Sequence, residues 1–123
     1  MTKTDKNNNE VKPANVLEMY PTQNVIWETL EDQNIALLVP KFKNKFLVKY
    51  LVPKMKNPNL KIKLDKFGTR VWQYIDGKNS VMQIGNHLKE DYGQDVEPVY
   101  ERLGLFINLL AQRNFITLTS DQQ

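Results

Sequence analysis

Few residues in this chain have the type and spacing that chemistry needs. The single histidine, His87, has no HxxxH or HExxH partner, so it lacks the spacing of a metal site, and beside an apolar helical face it reads as a structural or surface imidazole. There is no cysteine, which excludes disulfide frameworks, thiolate nucleophiles, iron–sulfur clusters and cysteine zinc sites. Of the two serines, Ser80 opens a Ser-Val-Met-Gln capping box and Ser120 lies near the end of the chain; neither sits in a nucleophile elbow. Glu90, Asp91, Asp95, Glu97 and Glu101 are acid–base candidates by type, but carboxylates crowded around helix ends serve solubility and the helix dipole. Gly68 and Gly85 are isolated, which suits close packing rather than a phosphate cradle. Catalysis and a bound cofactor are therefore not expected, and binding is.

The elements that must carry such binding fit in one domain. At 123 residues, 41% hydrophobic and 25% charged, the chain can build one core and not two. The polar, asparagine-rich residues 1–15 read as a disordered lead-in, 16–118 as a single domain and 119–123 as a tail. No apolar stretch reaches the roughly 18–20 residues of a membrane-spanning helix, so a cytoplasmic protein without a transmembrane segment is expected. The net charge of +3 is mild but uneven: from Lys41 to Lys63 there are eight lysines and no acid.

Val25 to Leu30 and Ile35 to Val39 read as a β-hairpin, the second strand apolar throughout as a strand covered on both faces would be. Phe46, Leu47, Tyr50 and Leu51 recur at helical spacing among lysines, giving a short basic amphipathic helix at about 41–56. Leu60 to Leu64 alternates strictly, so Leu60, Ile62 and Leu64 are expected to face a core while Lys61 and Lys63 face water on an edge strand. Three helices follow. Phe67, Val71, Trp72 and Ile75 mark the first, and Val81, Ile84, Leu88 and Tyr92 mark the second. The third starts near Pro98 with Val99, Leu103, Phe106, Ile107 and Leu110 on its main stripe. Asn114 suits a left-handed cap, before a final strand or extended tail at 115–118. The fold class is thus α+β: a three-stranded antiparallel sheet plus a three-helix, winged-helix-like bundle.

Two surfaces remain to be explained. The lysine segment fits a solvated face, an anionic lipid or nucleic-acid surface, or an electrostatic guide for an acidic partner. Lysine without arginine or interleaved aromatics is a poor nucleic-acid signal. The outer positions of the third helix, Glu101, Leu105, Asn108, Leu109 and Gln112, also carry little positive charge for a DNA-reading helix. At about 100° per residue, Leu105 and Leu109 form a second stripe on that helix, flanked by Arg102 and Arg113. Packing within the chain is one explanation. The other is a groove between the third helix and the edge strand that accepts an extended peptide by strand addition.

Ile62-Lys63-Leu64-Asp65-Lys66-Phe67-Gly68, Val71-Trp72, Ile75-Asp76-Gly77-Lys78, Ser80-Val81, Ile84, Val99, Arg102-Leu103, Phe106, Leu109 and Phe115-Ile116 together resemble the PqqD family. The resemblance extends over roughly residues 25–118. It implies a non-enzymatic peptide-binding module that recognises the leader of a ribosomally made precursor peptide and presents it to a modifying enzyme, often a radical SAM enzyme. Carried onto this chain, the implied peptide-binding residues are Leu60, Lys61, Ile62 and Lys63 on the strand and Arg102, Leu105, Leu109 and Arg113 on the helix. The basic segment before that strand is longer than the connection of compact members. A winged-helix nucleic-acid binder and a regulatory protein-docking domain stand as alternatives.

Overall fold

Residues 16–40 and 59–121 are described by the computed structural model; the basic helix expected at about 41–56 and the lead-in expected at 1–15 lie outside the described residues. The chain divides into two compact units, Val25–Lys66 and the remainder, and each is considered by itself.

Val25–Lys66 forms an antiparallel sheet of three strands, β2 (Ile26–Thr29), β3 (Ile35–Pro40) and β4 (Asn59–Lys63), in the order β2-β3-β4. The β2–β3 turn closes with Leu30 N–H donating to the Asn34 carbonyl at 2.8 Å and Gln33 N–H to the Leu30 carbonyl at 3.0 Å. Gln33 takes the left-handed φ of 72°, and the Asp32 carboxylate accepts the Asn34 N–H at 2.9 Å in an Asx turn. As the middle strand, β3 buries Ile35, Ala36 and Leu37 on both faces, which accounts for its unbroken apolar run.

The alternation of β4 is real, but its apolar face is not all core. Leu64, just past the strand, is buried, whereas Leu60 and Ile62 remain 49% and 37% exposed. Lys61 and Lys63 face the other way, and Lys61 Nζ reaches Glu28 Oε2 of β2 at 2.9 Å, across the small Ala36 and Leu38 of β3.

The second unit holds the helices α1 (Lys66–Tyr74, its first residue at the unit boundary), α2 (Val81–Tyr92) and α3 (Val99–Gln112), with a 3-10 turn at Gly93–Val96. It also contains a two-stranded antiparallel sheet that the sequence reading lacks: β1 (Tyr20–Gln23) pairs with β5 (Ile116–Thr119), from Tyr20 opposite Thr119 to Gln23 opposite Ile116. Residues 17–19 are tied in as well, since the Leu17 and Met19 carbonyls accept the first amide groups of α2, from Met82 and Val81, at 2.9 Å each.

The capping box stands as the sequence implies. Ser80 Oγ accepts the Gln83 N–H at 3.1 Å, and Gln83 Oε1 accepts the Ser80 N–H at 2.7 Å. Pro98 sits one position earlier than a first-turn proline, as the N-cap of α3, and the first-turn amide of Val99 donates to the Glu97 carboxylate at 3.2 Å. Helix α2 packs on α3 at Gly85, where a Cβ would lie 2.6 Å from the Tyr100 ring, so only glycine allows that approach. Val71, Trp72, Ile75, Val81, Ile84, Leu88, Val99, Leu103 and Ile107 are buried and form the core of this unit. Asn114 ends α3 with the expected positive φ, 63°.

Candidate functional site

Strand β4 lies at one end of its sheet, so one row of its backbone groups is unpaired by any strand among the described residues. The hydrogen-bond phase identifies which row. Leu64 N–H donates to the Ile35 carbonyl at 2.8 Å. In an antiparallel ladder bonded pairs alternate, so Ile62 and Leu60 also bond inward, to Leu37 and Val39. The N–H and C=O groups of Lys61 and Lys63 therefore point to the open edge. Their side chains share one face of the sheet, while Leu60 and Ile62 share the other. The four residues singled out on this strand thus form one edge with two chemically different faces.

On α3, Leu105 and Leu109 lie one turn apart and are 70% and 46% exposed. Both side chains of this second stripe are thus exposed. Arg102, three residues before Leu105, is fixed: its Nη1 donates to the Val96 carbonyl at 3.1 Å, and its guanidinium lies 4.2 Å from the centroid of the Phe67 ring. Phe67 in turn meets Phe106 edge to face at 6.3 Å. Arg113 is exposed at the C-cap and carries no ion pair among the described residues. The helix residues lie together on one helix, and the strand residues belong to the other unit.

A polar cluster joining α1 to α2 escaped the sequence reading. Asp91 Oδ2 accepts from Arg70 Nε at 2.9 Å and from the Tyr74 hydroxyl at 2.8 Å. The Arg70 hydrogen bond, then that of Tyr74, holds the Asp91 carboxyl below the ordinary range. Burial and the bond to Asp91 push the Tyr74 phenol up, and the Asp91 hydrogen bond raises the Arg70 guanidinium. A carboxylate engaged by two donors is a clasp, not a base. Arg70 and Tyr74 are spaced four apart, but Asp91 lies 21 residues beyond Arg70, so no local pattern announces the triad. His87 stacks on Tyr74 at 4.8 Å, and its Nδ1 lies 3.7 Å from Glu90. Of the other acidic candidates, Glu97 caps α3 and meets Lys89 at 3.5 Å.

Among the described residues no group of three His, Asp or Glu side chains is arranged to hold a metal ion, and no helix is long and apolar enough to cross a membrane. No curated protein and no solved structure matches the chain. The family model described as coenzyme PQQ synthesis protein D (PqqD) matches residues 57–116, from just before β4 through all three helices to the first residue of β5. This segment, which carries both the β4 edge and the α3 stripe, is similar to the PqqD family.

Proposed function

We propose that the protein is a non-enzymatic peptide-binding module that takes up the leader of a ribosomally made precursor peptide by strand addition and presents it to a modifying enzyme of the radical SAM type, in the cytoplasm. At family level the PqqD match supports a peptide-binding module related to PQQ synthesis. The observation that carries the finer reading is the open edge of β4. Lys61 and Lys63 offer backbone groups there that no strand among the described residues pairs, beside the exposed Leu60 and Ile62. Leu105 and Leu109, with Arg102 and Arg113, give the peptide or its enzyme a second apolar docking stripe.

The nucleic-acid reading finds little support, because the exposed positions Glu101, Leu105 and Leu109 of α3 present an acid and two leucines where phosphate contacts need cations. The test is titration of the chain with a leader peptide encoded beside its gene, followed by backbone amide NMR. Saturable shifts centred on Asn59–Lys63 and on α3 are expected. Shifts on adding duplex DNA, with none on adding peptide, would overturn the reading.

A further inference from the structure

We infer that the peptide which pairs with β4 alternates acidic and apolar residues, with acids opposite Lys61 and Lys63 and an apolar residue opposite Ile62. The inference rests on the strand-addition reading and adds what the guest strand must contain. In a sheet, residues directly opposite one another project from the same face, so a guest at the β4 edge inherits the two faces of β4. On one face it meets the exposed side chains of Leu60 and Ile62. On the other it meets the lysines. Lys63 is exposed and has no ion pair among the described residues.

The charge on that lysine face is graded in a way that favours an acidic guest. Among the described residues the one acid paired with it, Glu28, lies on β2, two strands away from the open edge, and reaches Lys61 diagonally. Cations therefore stand at the edge and the anion behind them. A guest carboxylate opposite Lys61 or Lys63 gains an opposite-charge cross-strand pair, while a guest lysine faces like charge.

The same pattern argues against a second copy of the chain as the occupant. If two β4 strands paired edge to edge with apolar faces matched, the segment Leu60-Lys61-Ile62-Lys63 would place lysine against lysine on the opposite face. Any register avoiding this would set leucine or isoleucine against lysine. An acidic–apolar strand satisfies both faces at once, and its alternation fixes its register, since a slip of one residue exchanges the faces.

Three short synthetic peptides test this against the full chain by backbone amide NMR: one alternating aspartate and leucine, an isomer of equal composition with the aspartates in one block, and an asparagine isostere of the first. The alternating peptide is expected to bind about three- to tenfold more tightly than either control, with shifts at Lys61, Ile62 and Lys63 and a preference that shrinks as salt rises. In a Lys63→Glu variant, which alters an exposed side chain and leaves the fold intact, the preference for the aspartate peptide over the asparagine isostere should be lost. Equal binding of all three peptides at β4 would overturn the alternation rule while leaving strand addition standing. Shifts at β4 with none of them would remove strand addition and the inference together. An unchanged preference in Lys63→Glu would overturn the charge assignment.

Discussion

The α1–α2 junction and the surfaces on β4 and α3 handle polar and apolar groups in opposite ways. At the junction Asp91 accepts from Arg70 and Tyr74, and Asp76 accepts the Lys78 and Asn79 amide groups at 2.8 and 2.9 Å across the turn whose Gly77 takes a φ of 80°. Ser80 and Gln83 satisfy one another, and Val71, Trp72, Ile75 and Ile84 are buried beneath. On β4 and α3, large apolar side chains stay exposed, and one row of β4 backbone groups is paired by no strand among the described residues. Polar satisfaction together with apolar burial gives a region whose residues serve stability. Exposed leucines on ordered elements give one whose residues cost solubility and suit the proposed binding role. Substitutions in the two regions should therefore separate folding from recognition.

The largest effect is expected at the core. Trp72→Ala removes a fully buried indole and should destabilise the fold by about 3–5 kcal/mol, measured by urea unfolding. A loss below about 1 kcal/mol would show that Trp72 does not anchor this unit. Gly85→Val places branched carbon where the Tyr100 ring already lies 2.6 Å from a modest Cβ, and a loss of about 1–3 kcal/mol should appear in the same measurement.

The clasp gives a pH-dependent effect. The carboxyl of Asp91 is held lower in the folded chain than in the unfolded one. Its contribution is thus fully present above the unfolded value, about pH 4, and is lost as pH falls through the lower folded value. Asp76 acts in the same direction: burial opposes the shift, but the amide groups of Lys78 and Asn79 outweigh it. Asp91→Asn should lower stability at pH 7, and the deficit relative to the unchanged chain should shrink below about pH 4. A deficit independent of pH would assign the loss to geometry rather than charge.

The smallest effect on folding, within about 0.5 kcal/mol, is expected for Leu105→Ser and Leu109→Ser, which replace exposed leucines. Peptide affinity should nonetheless fall. If these variants lose stability as Gly85→Val does, the stripe is core and the contrast between the two regions collapses.

What could be read in the sequence was what depends on short separations. The Ser80 capping box spans three residues, the left-handed Asn114 one, and the second stripe on α3 follows from the spacing of Leu105 and Leu109. The apolar run of β3 likewise gave away a central strand. Long-range pairings left no such trace. Strand β1 reads Tyr-Pro-Thr-Gln, without alternation and with a proline, and it pairs with residues at the other end of the chain. Asp91 reaches across helices to Arg70. Alternation in β4 showed which residues share a face but not how far that face is covered, so Leu60 and Ile62 were expected inside and are found exposed.

Strand addition makes its sharpest demand on two amide protons. In the free chain the inward amide of Ile62 is bonded to β3, while those of Lys61 and Lys63 face the open edge and should exchange rapidly with solvent. Hydrogen exchange measured with and without a saturating leader peptide tests the claim directly. The account predicts strong new protection at Lys61 and Lys63 and little change at Ile62. Saturated binding that leaves Lys61 and Lys63 exchanging at their free rates would contradict it.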